Sequence, residues 1–216
     1  GIRDGPQCLV GSEMCIRDRA YPEKKSSIRT ELNISKEDIL IGRIGRFDPQ
    51  KDYKNFINAA DQLQCSNKNI WFLMVGENIN DENSALLKWI GKTRYPDRFI
   101  LLGKRDDLPE LYQAMDILVS SSLGEGFPNV IAEAMACEVP CVVTDVGESA
   151  ALVGKTGEIV PKGDSNKLAN ACQVLIDSGK ARRWELGKQA RSRIIKKYSI
   201  NRSASDYLAL YEKLVQ

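Results

Sequence analysis

Two glutamates in one short segment have the side chains and the spacing to bind a polar ligand. Glu125 and Glu133 are separated by seven residues, Gly-Phe-Pro-Asn-Val-Ile-Ala, within residues 120–144. Glu125 lies at a Gly-Glu-Gly turn after an apolar strand, and Glu133 comes one helical turn after Asn129. The start of a helix attracts anions, and carboxylates accept hydrogen bonds from hydroxyl groups. The segment therefore predicts a ligand with phosphate and hydroxyl groups. The alternative is a solvated turn whose acids only complement the helix dipole.

Cations follow two other predicted strands. Arg46 and Lys51 come after the first strand, and Lys104 and Arg105 come after the third. Parallel strands end at one edge of their sheet, so these side chains and the two glutamates are expected to line one site. Fixed cations stabilise negative charge on a bound anion. The alternative for each pair is an ordinary solvated surface charge.

Alternating strands and helices are predicted to position these residues. The strands are predicted at 39–45, 71–75, 99–102, 117–120, 141–144 and 158–160, and the helices at 53–63, 82–95, 108–114, from about 129, 165–178, 180–197 and 201–215. Pro128 suits the first turn of the fourth helix, and Asn129 suits its N-cap. This alternation predicts an α/β, Rossmann-like parallel sheet with helices on both faces.

The composition excludes several classes of function. The net charge is +2, which requires no nucleic-acid partner, and the chain has no histidine, which removes Ser-His and Cys-His triads and the usual zinc sites. No apolar run approaches the roughly 18 residues of a spanning helix. The six cysteines form no C-x-x-C pair. Cys137 and Cys141 flank a predicted helix-to-strand turn, and we expect these two to be reduced and partly buried, as in a cytosolic protein.

Two motifs resemble those of a known family. The segment Glu-Gly-Phe-Pro-Asn-Val-Ile-Ala-Glu at 125–133, and Gly-Arg-Phe-x-x-x-x-Asp at 45–52 with Lys51 inside it, resemble motifs of the retaining glycosyltransferases with the GT-B fold. The resemblance runs from about Arg29 to the end of the chain and corresponds to the C-terminal, donor-binding half. It implies sugar transfer with retention from a nucleoside diphosphate sugar, UDP-sugar by default, to an acceptor hydroxyl. No D-x-D occurs, so the resemblance implies no metal and no cofactor besides this substrate.

The resemblance also implies roles for individual residues. Arg46 and Lys51 would contact the donor diphosphate, and Glu125 would contact the sugar, so these three are the candidate catalytic residues. Glu133 would hold the ribose hydroxyls. The other candidate donor-binding residues are Gly45, Lys104, Arg105, Gly126, Phe127, Pro128, Asn129 and Val130.

The sequence, together with this resemblance, suggests a division of the chain. Residues 1–19 end in a sequence that resembles translated sequencing adapter and are expected to be non-native. Residues 20–38 are expected to link to a missing N-terminal domain, 39–197 to form the nucleotide-sugar-binding domain, and 198–216 to form a closing helix. The acceptor, a glycan or a lipid-linked sugar, would bind the missing domain, so the chain alone is expected to bind donor weakly and transfer nothing. A non-catalytic nucleotide-sugar-binding module and a sugar-nucleotide epimerase remain as alternatives.

The segment at 180–197 is strongly basic. Trp184, Leu186, Ala190 and Ile194 have a spacing that predicts contact with the core. The cations then form a solvated helix face, and the alternative is peripheral contact with the anionic inner face of a membrane.

Overall fold

A parallel sheet organises the part of the chain that the computed structural model describes, residues 27–66, 69–198 and 211–212. Its strands are β1 (Ile39–Ile44), β2 (Ile70–Val75), β3 (Phe99–Leu101), β4 (Ile117–Ser120), β5 (Cys141–Thr144) and β6 (Glu158–Val160). The order is β3-β2-β1-β4-β5-β6, and every neighbouring pair is parallel. The predicted Rossmann-like α/β sheet is therefore confirmed. The strand order reverses between β1 and β4, which is where open sheets of this kind form a ligand crevice.

Helices cover both faces of this sheet. They are α1 (Ile28–Glu31), α2 (Tyr53–Ser66), α3 (Ser84–Ile90), α4 (Leu108–Ala114), α5 (Asn129–Ala136), α6 (Ser149–Val153), α7 (Ser165–Asp177) and α8 (Gly179–Tyr198). The expected helix at 201–215 lies outside the described residues except for 211 and 212, and the segment at 1–19 lies entirely outside them.

Helix α3 is shorter than the 82–95 segment that the sequence predicted. The Asn83 side chain accepts the N–H of Leu86 at 3.1 Å, so the helix begins after Asn83. Gly91 follows the last helical residue, and a 3-10 turn at Pro96–Arg98 leads into β3. The early end is explained by the glycine and by the proline, because neither residue favours continuation of a helix.

The core has two layers, one on each face of the sheet. Along β2, Leu73 and Val75 pack on one face, and Phe72 and Met74 pack on the other. The first layer is completed mainly by α4 and α5, and the second mainly by α2 and α7. Because both faces are covered, the strands carry apolar residues at successive positions, which is typical of a parallel sheet.

Two glycines let neighbouring loops touch at the carboxyl edge of the sheet. A Cβ on Gly76, which has a φ of 149°, would lie 1.9 Å from the carbonyl oxygen of Gly45. A Cβ on Gly147, which has a φ of 52°, would lie 2.0 Å from the carbonyl oxygen of Glu125. Only glycine tolerates both the backbone angle and the contact. These approaches fix the loops after β1 and β4 against their neighbours.

The basic helix α8 corrects one expectation. Leu186, Ala190 and Ile194 are buried as predicted, but Trp184 is 59% exposed. Trp184 precedes Leu186 by two positions, which places it on nearly the opposite side of a helix with 3.6 residues per turn. The Lys188 ammonium lies 3.5 Å from the centre of the Trp184 ring. Among the described residues, no helix combines the length and the low polarity that crossing a membrane requires.

Candidate functional site

A cavity of about 490 Å³ opens where the strand order reverses, and it is lined by Arg46, Gln50, Lys51, Gly124, Glu125 and Gly126. The lining comes from two segments, residues 45–52 after β1 and residues 121–128 after β4, which we call the cavity loops. Four of the lining residues, Arg46, Lys51, Glu125 and Gly126, are candidates from the sequence. The structure therefore brings together the two candidate cations of the first loop and the candidate acid of the second.

The first cavity loop is shaped by a short capped turn. Asp48 begins a 3-10 turn at Pro49–Lys51, and its side chain accepts the N–H of Gln50 at 2.9 Å. This hydrogen bond, together with the neighbouring Arg46, lowers the pKa of Asp48. Arg46 donates to Asp48 at 3.2 Å and remains largely exposed. The Arg46 guanidinium is thus held beside the cavity while its charge stays accessible to a ligand.

Hydrogen bonds join the two cavity loops directly. The Ser121 hydroxyl lies 3.0 Å from the carbonyl oxygen of Lys51 and 3.1 Å from that of Asp52. The N–H of Leu123 donates to the carbonyl oxygen of Gln50 at 2.7 Å. The Ser121 hydroxyl and main-chain groups thus fix the two loops to each other and set the separation of the main chains that carry the site residues.

An ion pair crosses the floor of the cavity. The Lys51 ammonium donates to Glu125 Oε1 at 2.6 Å, and the two side chains are only 21% and 9% exposed. The Ser122 hydroxyl donates to the same oxygen at 2.6 Å. A charge that is mostly withdrawn from water is costly unless it is paired and hydrogen-bonded. In the free chain, Glu125 therefore compensates the Lys51 charge that a bound anion could otherwise compensate.

The start of helix α5 differs in detail from the prediction. Pro128 occupies the N-cap position, and Asn129 is the first helical residue rather than the cap. No side chain caps this end, and the Asn129 N–H already donates to the carbonyl oxygen of Phe127 at 3.1 Å. The proline has no N–H to leave unpaired, which suits it to the boundary. A Cβ on Gly126 would have no protein atom within 4 Å, so the space beside Gly126 is open to a ligand.

Three further candidates have structural contacts of their own. Phe127 and Val130 pack against the core, and the Phe127 ring lies 5.9 Å from that of Tyr198. The carbonyl oxygen of Gly45 accepts a hydrogen bond from the Tyr53 hydroxyl, and the Gly45 N–H donates to the carbonyl oxygen of Val75 at 2.9 Å. These residues fix the loop ends, and the cavity lining does not include Phe127, Val130 or Gly45.

Glu133 lies on α5 outside the cavity lining and contacts α4. The buried Tyr112 hydroxyl donates to Glu133 Oε2 at 2.8 Å. Burial raises the pKa of Glu133, and the hydrogen bond from Tyr112 opposes that rise. Burial and the neighbouring carboxylate both raise the pKa of Tyr112 well above its usual value. The Tyr112 hydroxyl thus fixes one carboxylate oxygen of Glu133 and stays protonated as a donor.

The two candidates after β3 are placed differently. Arg105 forms ion pairs with Asp107 at 2.6 Å and with Glu31 at 3.3 Å, and the hydrogen bond to Asp107 raises the pKa of Arg105. Lys104 is exposed. Neither side chain belongs to the cavity lining. Among the described residues, no group of three or more His, Cys, Asp and Glu could hold a metal ion.

Sequence analysis did not identify Arg43, Ser122 or Tyr112. Arg43 is a charged residue within a strand predicted to be buried, and this anomaly was the one available signal for it. Its side chain is 1% exposed, and it donates to the main chain of Lys51 and to Ser122. Ser122 and Tyr112 gave no comparable signal, because their importance depends on contacts with Glu125 and Glu133 from other elements.

Comparisons with known proteins support the sheet and the motifs together. The sequence model of the family described as "Glycosyl transferases group 1" matches residues 38–178. An N,N'-diacetylbacillosaminyl-diphospho-undecaprenol alpha-1,3-N-acetylgalactosaminyltransferase of Campylobacter jejuni is 28% identical over 225 residues, which cover 100% of this chain and 57% of that protein. The chain spans about half the length of the curated relatives it matches.

Two solved structures show the same fold. The Anabaena protein HepE in complex with UDP and glucose is 25% identical, with a TM-score of 0.76 over 90% of this chain and 53% of that one. The C-terminal domain of a glycosyl transferase group 1 protein from Francisella tularensis is 24% identical, with a TM-score of 0.70. That match covers 83% of this chain and 95% of the domain. The described fold is therefore the C-terminal half of a GT-B fold.

Proposed function

The chain belongs to the glycosyl transferases group 1 family, and from this we propose that it supplies the donor site of a retaining glycosyltransferase using a nucleoside diphosphate sugar. The observation that carries the proposal is the contact between Lys51 and Glu125. These side chains are 74 positions apart in sequence, yet they meet at 2.6 Å in a cavity where the strand order reverses. Open α/β sheets bind their ligands at such a position.

The charges around the cavity suit the departure of a diphosphate. When the bond between the sugar's anomeric carbon and the diphosphate breaks, the electron pair stays with the diphosphate. Arg46 and Lys51 would stabilise that charge, helped by the start of α5. Lys51 would exchange Glu125 for the diphosphate, and the released Glu125 would accept hydrogen bonds from the sugar hydroxyls. Each charge-assisted contact would contribute about 1.5–3 kcal/mol.

The remaining candidates would complete the nucleotide site. Glu133, held by Tyr112, would accept the ribose hydroxyls, and the open backbone at Gly126 would allow the sugar to approach. Lys104 is available to the base because it is exposed, whereas Arg105 would first have to leave its carboxylates. UDP is our default nucleotide, and the HepE complex with UDP and glucose supports that choice for a related fold.

We propose that the acceptor, a glycan or a lipid-linked sugar in polysaccharide biosynthesis, binds a second domain across the cleft. The Campylobacter relative, whose name specifies an undecaprenol-linked substrate, supports a lipid-linked acceptor. The purified chain would then bind donor weakly and transfer no sugar, without a metal requirement. We place the protein in the cytoplasm.

We also propose contact of α8 with the inner face of a membrane. Trp184 and Ile195 are 59% and 53% exposed and lie on one stripe of the helix, with Lys180 and Lys188 beside them. Flotation with liposomes containing acidic lipids, at low salt, tests this contact. Binding that is lost in Trp184→Ser supports it, and no binding of the unaltered chain contradicts it.

Calorimetric titration with a panel of nucleoside diphosphates tests the donor site. We expect saturable binding of at least one of them, with UDP the first candidate, and no loss of affinity in the presence of EDTA. A chain that binds no nucleoside diphosphate would contradict the proposal.

A transfer assay separates the proposed enzyme from its alternatives. Joining the chain to the N-terminal half of a relative and supplying an acceptor should restore transfer, with the anomeric configuration of the donor kept in the product. Inversion would contradict retention, and binding without transfer would favour a non-catalytic module. Conversion of the nucleotide sugar without acceptor would favour an epimerase.

A further inference from the structure

A buried cation lies beneath the cavity loops and has no assigned role. Arg43 is in β1, at the centre of the sheet, and its side chain is 1% exposed. No carboxylate of the described residues forms an ion pair with it. Its Nε has no hydrogen-bond partner there either. Burying an uncompensated charge is costly, so its position calls for a physical reason.

The guanidinium is connected to both cavity loops. Its Nη1 donates to the carbonyl oxygen of Ile44 at 2.8 Å, and its Nη2 donates to that of Lys51 at 2.8 Å. The same Nη2 lies 3.3 Å from the Ser122 hydroxyl oxygen. The Tyr53 ring covers the group, with its centre 5.0 Å from the Arg43 Cζ. One side chain thus fixes the main chain that carries Lys51 and contacts the serine that binds Glu125.

Ser122 links the buried cation to the carboxylate. Its oxygen accepts from Arg43, and its hydrogen is directed to Glu125 Oε1 at 2.6 Å. A hydroxyl that accepts from a cation becomes a stronger donor, so the Arg43 charge reinforces the bond to Glu125. The Thr144 hydroxyl fixes this serine further by donating to its carbonyl oxygen at 2.6 Å.

We propose that Arg43 is a positioning residue of the donor site, holding Lys51 through its main chain and Glu125 through Ser122 while placing uncompensated positive charge under the bound diphosphate. The inference rests on the proposed function. A bound diphosphate supplies the negative charge that this part of the molecule lacks, which explains why the buried cation is retained. A role confined to folding would leave the ligand preference of the folded protein unchanged.

The test compares UDP with uridine in calorimetric titrations of folded variants. We expect Arg43→Met to lower the affinity for UDP about tenfold while changing the affinity for uridine less than about twofold, because only UDP carries the diphosphate. Arg43→Lys should recover part of the UDP affinity, because it keeps the charge but not the three contacts. Circular dichroism and thermal unfolding establish that each variant is folded.

A smaller substitution tests the link to Glu125 and does not depend on how Arg43→Met folds. The ligand is the UDP-sugar that the unaltered chain binds best among UDP-glucose, UDP-galactose and UDP-N-acetylglucosamine. Ser122→Ala should lower the ratio of the affinity for this UDP-sugar to the affinity for UDP about fivefold. The matched control is Ser120→Ala, which removes a buried hydroxyl that has no partner among the described residues. In Ser120→Ala, the ratio of the affinity for the UDP-sugar to the affinity for UDP should equal that of the unaltered chain.

The outcomes distinguish this inference from the proposed function. An unaltered chain that binds no nucleoside diphosphate overturns both. An unaltered chain that binds UDP, with a folded Arg43→Met that binds it equally well, overturns the inference alone. If Arg43→Met does not fold, the inference is overturned when Arg43→Lys and Ser122→Ala both bind like the unaltered chain.

Discussion

Two loops at the same edge of the sheet carry cations, and the two loops use them differently. After β1, Lys51 pairs across the cavity with Glu125, which belongs to a distant loop, and the uncompensated Arg43 lies beneath. After β3, Arg105 pairs with Asp107 of its own loop and with Glu31 of α1. The first arrangement creates a pocket with positive charge that a ligand can use. The second pairs its arginine with nearby carboxylates.

The contrast shows that position in the fold does not by itself assign a role. Sequence placed both pairs of cations at carboxyl ends of strands and expected them to line one site. In the structure Arg46 and Lys51 line the cavity, whereas Lys104 and Arg105 do not. Arg105 instead forms ion pairs with Asp107 and Glu31. We infer that a ligand completes the charge balance at the loops after β1 and β4.

The largest effect is expected from removing the cavity lysine. Lys51→Met should weaken UDP binding by about 1.5–3 kcal/mol, because a charge-assisted contact to the diphosphate is lost. Isothermal titration calorimetry at fixed ionic strength measures this change. Unchanged affinity in a folded variant would show that the loop after β1 does not bind the donor. The contrast with the loop after β3 would then fail.

Glu133 should contribute nearly as much as Lys51 to the free energy of UDP binding, through contacts with the ribose. Glu133→Ala should weaken UDP binding by about 1–3 kcal/mol, because hydroxyl contacts to the carboxylate are lost. The variant should also lose the unaltered chain's preference for UDP over 2'-deoxy-UDP. If that preference persists in the variant, another residue reads the ribose.

Glu133 should also make stability depend on pH. Burial raises its pKa in the folded chain above the ordinary 4.5, so the folded state holds the proton more tightly than the unfolded state. The contribution of Glu133 to the free energy of unfolding therefore falls as pH rises from about 4.5 through the raised pKa. Glu133→Gln cannot titrate and keeps an oxygen for Tyr112, so it should gain stability relative to the unaltered chain over that range. Urea unfolding at several pH values measures the difference, and a constant difference would contradict it.

The smallest effect is expected at the loop after β3. Arg105→Met removes surface ion pairs, which contribute at most about 1 kcal/mol to stability, and should change UDP affinity by less than about 0.5 kcal/mol. The same calorimetric and urea measurements apply. A loss of affinity as large as that of Lys51→Met would show that both loops hold the donor.

Much of the fold could be predicted from local patterns, because apolar strands and amphipathic helices alternate regularly in this chain. The bounds of β4, β5 and β6 matched the prediction. Helix α3 ended before its predicted end because Gly91 follows its last residue, which the apolar pattern alone did not indicate. The convergence of Arg46, Lys51 and Glu125 followed from the parallel sheet. The supporting contacts of Arg43, Ser122 and Tyr112 could not be predicted, because each depends on side-chain packing between distant segments.

The central claim is that the pair formed by Lys51 and Glu125 opens to admit a diphosphate. The most direct test is a crystal structure of the chain with UDP bound. We predict that the Lys51 ammonium leaves Glu125, now at 2.6 Å, and contacts a diphosphate oxygen that Arg46 also contacts. A nucleotide bound away from the cavity loops, with the ion pair intact, would contradict the account.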